Sequence, residues 1–169
     1  DVSLTVSPIR DAAGVIVGAA TVARDVSESK RAAQSLRRVN RALRATIAVQ
    51  EALAAAPSED ALLERVCAIL VEVGGYRMAW AGWAEDDAEK SIRPVAHAGH
   101  EAGYVATLDL TWADTERGRG PSGTAVRTGH AVVVRDTGAD PTYAPWRSDA
   151  LRRGYASSAA LPIRTAGSI

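Results

Sequence analysis

The chain has 169 residues, 47% of them hydrophobic, and its 20 basic and 20 acidic side chains give a net charge of zero. A chain of this length forms one ordinary domain, or one small domain with additional pieces. The balanced charge excludes a bulk electrostatic attraction to nucleic acid or to an anionic membrane. The single cysteine, Cys67, excludes an internal disulfide and argues against a four-ligand Cys/His zinc site. Since no apolar run approaches the roughly 18 residues of a membrane span, we expect a cytoplasmic protein.

The first predicted element is a β-hairpin. Val2–Ile9 and Val15–Val22 are rich in β-branched and small apolar residues, and the turn between them contains Gly14. Two strands cannot bury a core by themselves. We therefore interpret residues 1–26 as the final strands of a domain whose body is missing from these residues, or as the edge of an upstream structure.

A long helix is predicted over residues 27–56. No Gly or Pro occurs between Asp25 and Pro57, and either Asp25 or Ser27 can cap the start of the helix. When Leu36 is placed at position a of a heptad, the a and d positions are Ser29, Ala32, Leu36, Val39, Leu43, Thr46, Gln50 and Leu53. The basic residues fall at positions b, c and f: Lys30, Arg31, Arg37, Arg38, Arg41 and Arg44. This phase predicts a coiled coil with a solvated basic outer face, and not a nucleic-acid-binding arm.

The remaining sequence predicts an α+β domain. Ser58 caps a helix that ends at Gly74-Gly75 and holds Cys67 as a small core residue. Strands are predicted at Tyr76–Glu85, Ile92–Gly99, Ala131–Arg135 (buried) and Tyr155–Ile163. A short helix at Gly120–Gly129, a long polar loop at Asp136–Trp146 and a helical turn at Arg147–Arg153 lie between them. Antiparallel strands interrupted by short helices indicate the α+β class.

Two parts of the chain resemble modules of sensor proteins. The stretch "GAATVARDVSESKRAAQSLRR", with its Asp25-Val26-Ser27-Glu28 motif, resembles the end of a PAS domain and its exit helix. The stretches "GYRMAWAGW", "GPSGTAVRTGHAVVV" and "DPTYAPWRSDALRRGYASSAALPI" resemble a GAF domain of the kind found in bacterial sensors. The resemblance implies a central antiparallel sheet with flanking helices over residues 57–169. The final strands and closing helix of that fold are expected after Ile169.

The resemblance implies a sensory or regulatory module of a bacterial signal-transduction protein. Such a module binds a small ligand or relays a signal through a dimeric helix, here residues 27–56, to a downstream output domain. A histidine kinase of a two-component system and a diguanylate cyclase are the expected outputs, while these 169 residues themselves are not expected to catalyse. A ligand-free dimerisation module remains the alternative. An enzyme of unrecognised type would need convergent polar groups with perturbed pKa values in a cleft.

The strands and long loops also predict a candidate ligand pocket. Its proposed residues are Trp80, Tyr104, Trp112, Arg127, Tyr143, Trp146 and Arg147. Aromatic walls with a few polar groups suit a small molecule. Plain core packing is the alternative, because a chain without Phe must use Trp and Tyr for bulk. The sequence identifies no cofactor and no metal: His97 and His100 lie three apart, so a continuous strand would point them to opposite faces.

Overall fold

The computed structural model describes residues 1–164, which divide into two compact units, residues 1–44 and the residues from Ala45 onward. The first unit contains an antiparallel hairpin of β1 (Val2–Arg10) and β2 (Ile16–Asp25). Gly14 adopts a φ of 83° in the turn, a conformation that glycine accepts without steric cost. The predicted hairpin is therefore confirmed.

Helix α1 (Ser27–Ala55) follows β2 after a single residue. The Asp25 carboxylate accepts the backbone N–H of Ser27 at 2.9 Å. A hydrogen bond with the side chain of Ser27, and to a smaller extent this backbone bond, lower the pKa of Asp25. The helix ends before Pro57, because proline disfavours the helical conformation of the residue that precedes it. The prediction of one long helix without a break is confirmed.

In the second unit, helix α2 (Glu59–Glu72) packs against an antiparallel pair, β3 (Met78–Ala84) and β4 (Ile92–Gly99). Ser58 caps α2 by accepting the backbone N–H of Ala61. Alternate residues of β3 face α2, and they form a small core with both partners: Leu63, Cys67, Ala79, Ala81, Trp83 and Ala96. Burial raises the pKa of the Cys67 thiol, consistent with its predicted core role.

The other face of β3 presents Met78 and Trp80 to a larger aromatic core. The elements that follow β4 are α3 (Pro121–Thr128), β5 (Val132–Val134), α4 (Arg147–Arg152) and β6 (Ser158–Ala160), with 3₁₀ turns at Val105–Thr107 and Pro141–Trp146. These elements and the loops between them supply the buried side chains of Tyr104, Val105, Leu108, Val134, Tyr143, Trp146, Ala150 and Tyr155. Strand β3 thus lies between two layers of packed side chains.

The structure corrects three predictions. In residues 1–164 there is no single central sheet but three two-stranded antiparallel ones, because no described strand joins the β3–β4 pair to the β5–β6 pair. Strand β5 is not buried throughout, since Val133 is 64% exposed while Val134 is buried. The predicted strand at Tyr155–Ile163 is limited to β6. The α+β class, with four α-helices in the described residues, is retained.

The predicted polar loop at Asp136–Trp146 is also wrong in part. The second half of this stretch is a 3₁₀ turn that buries Tyr143 and Trp146. Thr137, in the first half, is buried as well. Residues three apart eclipse each other on a 3₁₀ turn, so Tyr143 and Trp146 point to the same side. Among the described residues, no helix combines the length and the apolar character that crossing a membrane requires.

Candidate functional site

A small cavity, the inner cavity, lies against the aromatic face of β3. Four of the seven predicted pocket residues line it: Trp80, Tyr104, Tyr143 and Trp146. The other lining residues were not predicted: Leu108, Leu110, Pro121, Ser122, Gly123 and Ser158. The space open to water is about 30 Å³, which is enough for one or two water molecules. It is about tenfold smaller than an ordinary small-molecule site.

The polar atoms of the cavity walls are paired with one another. The hydroxyl groups of Tyr104 and Tyr143 lie 3.1 Å apart in a buried hydrogen bond. The indole Nε1 of Trp146 donates to the backbone carbonyl of Leu108 at 2.9 Å. Burial, with a smaller contribution from the Tyr143 hydrogen bond, raises the pKa of Tyr104 well above its ordinary value. The walls are therefore uncharged at neutral pH, and no lining residue carries a formal charge.

Two glycines of the sequence "GRGPSG" allow Trp146 and α3 to approach the cavity. A Cβ at Gly120 would lie 2.4 Å from two ring atoms of Trp146. A Cβ at Gly123 would lie 2.2 Å from the carbonyl oxygen of Gly118. Pro121 occupies the first turn of α3, where its missing N–H costs nothing. This Gly-rich stretch therefore serves close packing at the start of α3.

Trp112 and Arg127, both predicted for the pocket, lie outside the inner cavity. Arg127 Nη1 donates to the backbone carbonyls of Trp112, Ala113 and Gly118. Trp112 in turn donates from Nε1 to the carbonyl of Glu85 at 2.9 Å, and the ammonium of Lys90 lies 4.6 Å from the centre of its ring. Both side chains hold irregular backbone in place.

Arg147 is the third predicted pocket residue that the structure places elsewhere. Its Nη2 donates to the carbonyl of Asp140 at 2.9 Å, and its Nε lies 3.4 Å from the carbonyl of Thr137. Buried backbone carbonyls need donors, and Arg147 supplies them for the turn that carries Tyr143. His97 is exposed on β4, opposite Trp80 in the strand register, and His100 lies beyond the end of that strand. In residues 1–164 no group of His, Cys, Asp and Glu is arranged to hold a metal ion.

A second and larger space, the outer groove, runs along β4. Its volume is about 630 Å³. It lies between β4 and residues 101–110, which we call the partition segment. Leu108 and Leu110 of this segment line both the outer groove and the inner cavity. Unlike the inner cavity, the outer groove has acidic and basic residues in its walls: Arg93, His97, Glu101 and Asp109.

Comparison with known proteins identifies the family. Residues 56–169, more than half of the chain, match the family described as GAF domain. No curated protein and no solved structure matched the chain. Domains of this family are generally sensory or regulatory ligand-binding modules of signalling proteins. The resemblance carried by "GYRMAWAGW" and the later stretches is confirmed, and the chain belongs to the GAF domain family.

Proposed function

We propose that the chain is a sensory module that binds a small molecule in the inner cavity and relays the event through α1. The observation that carries this proposal is the convergence of Trp80, Tyr104, Tyr143 and Trp146, from three separate parts of the chain, around one uncharged cavity. Flat aromatic walls with a few hydroxyl groups are typical of small-molecule sites. Family membership supports the same function.

The proposal extends to the hairpin of residues 1–26, which we assign to the end of a PAS domain. One face of the hairpin carries Val2, Leu4 and Val6, and these side chains are more than 60% exposed. A two-stranded ribbon with an exposed apolar face is marginally stable alone. The passage from β2 into α1 contains no Gly or Pro. A stiff connection of this kind suits the transfer of strain from a sheet to a helix.

Residues 27–56 are proposed to form a parallel coiled coil with a second copy of the chain. Leu36 and Leu43, both at position a, are 69% and 59% exposed. In the C-terminal part of α1, Leu53 at position d remains exposed, whereas Ala45 is buried and three further residues are half-buried: Ala48, Val49 and Ala52. An apolar a/d stripe with its basic residues at b, c and f is typical of a helix that pairs with its own copy.

The dimer has a direct test. Leu43→Lys places a charge in the a/d seam, whereas Gln34→Lys places the same charge at position f. We expect the chain and Gln34→Lys to sediment as dimers and Leu43→Lys to sediment as a monomer at the same concentration. Equal sedimentation of all three would contradict pairing through α1.

The output domain, a histidine kinase of a two-component system or a diguanylate cyclase, is proposed from the family's signalling role alone.

A ligand-free dimerisation module is the second candidate, and the 30 Å³ volume of the inner cavity favours it. The two functions are separated by a native mass spectrum and an absorption spectrum of the purified chain. Ser158→Leu fills the cavity, whereas Ser157→Leu changes the exposed neighbouring residue and serves as the control. Ligand binding would be established by a co-purifying mass that disappears in Ser158→Leu and persists in Ser157→Leu. A colourless dimer without additional mass in all three proteins would favour the second candidate.

A further inference from the structure

The partition segment, residues 101–110, is the wall between the inner cavity and the outer groove. Its buried residues, Tyr104, Val105 and Leu108, belong to the aromatic core. Gly103, Ala106 and Asp109 are exposed. Because Leu108 and Leu110 line both spaces, no other layer separates them at these two positions. Moving this segment outward would join about 30 Å³ to about 630 Å³.

The partition segment is held by side chains at its N-terminal end. Tyr155 donates from its hydroxyl to the carbonyl of His100, directly before the segment. Arg153 Nη2 donates to the carbonyl of Ala102 at 2.9 Å. The Glu101 carboxylate accepts the backbone N–H groups of Gly103 and Val105 at 2.8 and 2.5 Å. These bonds at the N-terminal end are few and polar. The segment is also bonded further along, through the hydroxyl groups of Tyr104 and Tyr143, from Trp146 Nε1 to the carbonyl of Leu108, and from the backbone N–H of Ile92 to the carbonyl of Leu110 at 2.9 Å. Opening therefore has to release the N-terminal end while the bond between Leu110 and β4 is kept.

In the closed position, the partition segment has backbone strain near both ends and one of its tethering side chains has an unpaired nitrogen. Ala102 and Asp109, near its two ends, have φ angles of 46° and 38°. A Cβ disfavours this left-handed region, more strongly for Ala than for Asp. Arg153 Nε, moreover, is the buried side-chain nitrogen that has no hydrogen-bond partner within residues 1–164. Strain at both ends and an unpaired tether atom are expected of a segment with a second accessible position.

We propose that the partition segment is a gate, and that its opening creates one continuous site for an uncharged, flat aromatic molecule bearing a hydroxyl or similar hydrogen-bonding group. The inner end offers the rings of Trp80 and Trp146 and the hydroxyl groups of Tyr104, Ser122 and Ser158, without a charge. Burying an unpaired charge against such walls is strongly unfavourable. This inference rests on the proposed ligand-binding function and adds to it the route of entry and the ligand class.

Hydrogen–deuterium exchange of the 169-residue chain tests the gate without any ligand. Tyr155→Phe removes the hydroxyl that holds His100, and Tyr76→Phe removes a hydroxyl from an exposed tyrosine. Losing one hydrogen bond changes such an equilibrium by about five- to tenfold. We expect amides 103–108 to exchange about five- to tenfold faster in Tyr155→Phe, relative to those of β3 and β4, and to be unchanged in Tyr76→Phe. If amides 103–108 exchange only together with β3 and β4 in every protein, the gate does not exist.

Probe binding tests the site. The probes are neutral N-phenyl-1-naphthylamine and the anionic 8-anilino-1-naphthalenesulfonate, followed by their fluorescence. When only the open form binds, the apparent Kd falls by the factor by which the open fraction rises. We expect the neutral probe to bind Tyr155→Phe about five- to tenfold more tightly than the unmodified chain or Tyr76→Phe, and the anionic probe to bind none of them.

Hydrogen exchange and probe binding together distinguish a failure of the gate from a failure of the proposed ligand-binding function. Exchange that requires unfolding of β3 and β4 overturns the gate, whether or not a probe binds. Independent exchange without binding of the neutral probe overturns the proposed ligand-binding function and the ligand class, although the segment moves. Equal binding of both probes to the chain overturns the assignment of an uncharged ligand.

Discussion

The close packing of Trp146 against Gly120 can be tested by a double-mutant cycle. In Gly120→Ala the new Cβ would lie 2.4 Å from the Cζ3 and Cη2 atoms of Trp146, and overpacking of this kind costs about 1–3 kcal/mol. In Trp146→Phe those two atoms are absent and the carbonyl of Leu108 loses its donor. An unsatisfied buried carbonyl costs about 1–3 kcal/mol. In the double variant the added methyl group contacts a smaller ring. The loss of free energy of unfolding caused by Gly120→Ala should therefore be smaller in the Trp146→Phe background.

We expect a coupling free energy of about 1–2 kcal/mol in favour of the double variant, measured by urea unfolding with far-ultraviolet circular dichroism. Gly120 is also the N-cap residue of α3. The cost of alanine at that position is present in both backgrounds and cancels in the cycle. The control cycle pairs Gly120→Ala with Trp112→Phe, which lies elsewhere, and should be additive. A coupling within about 0.5 kcal/mol of zero for Trp146 would refute the packing described here.

Three further predictions concern side chains that hold the loops. Arg127→Met should lower the free energy of unfolding by about 0.5–1.5 kcal/mol, because three backbone carbonyls lose a donor. Arg135→Met, at a second exposed arginine, should change it by less than about 0.5 kcal/mol, and equal urea midpoints would contradict this role. Thr137→Val should cost about 1–2 kcal/mol in the same assay, because the buried hydroxyl donates to the carbonyl of Tyr155, and an unchanged midpoint would show that the bond contributes nothing. Backbone N–H donors of its own loop lower the pKa of Glu101, so its stabilisation is complete above the ordinary carboxyl pKa and is lost as the pH falls through the lowered value. The stability difference between the chain and Glu101→Gln should therefore be constant above about pH 5 and shrink in more acidic solution, and a difference that persists unchanged at about pH 2 would contradict it.

Elements governed by local rules were predicted closely. Helix α1 begins at Ser27 and ends at Ala55, where a capping carboxylate and a following proline place its ends. Strand β5 shows the limit of such rules. Its β-branched run predicted a strand correctly, but Val133 is 64% exposed, because burial depends on which face other elements cover. That information is not contained in three consecutive valines.

The residues of the candidate site likewise include some whose positions the sequence predicted and others whose positions it did not. Tyr143 and Trp146 reach the inner cavity because large apolar rings are driven out of water wherever the turn permits. Arg147 was assigned to the pocket from its position beside Trp146, and Arg127 from its position on the short helix, but both donate to backbone carbonyls. The destination of a guanidinium depends on which carbonyls an irregular backbone leaves unpaired. No periodicity in the sequence records that, although Asp140-Pro141 did offer a local signal for the 3₁₀ turn that carries Tyr143.

The small volume of the inner cavity bears on how such a domain would respond to a ligand. A ligand shifts an equilibrium between two forms only by the difference in its affinity for them. On the proposed function, the closed form has room for one or two water molecules, so nearly the whole binding free energy of an aromatic ligand would favour the open form. Opening breaks the Arg153–Ala102 bond, and the carbonyl of Arg153 accepts Nε of Arg77, one residue before β3. A tightly packed cavity therefore makes opening of the partition segment more strongly dependent on the ligand, and it places the change next to the strand that packs on α2.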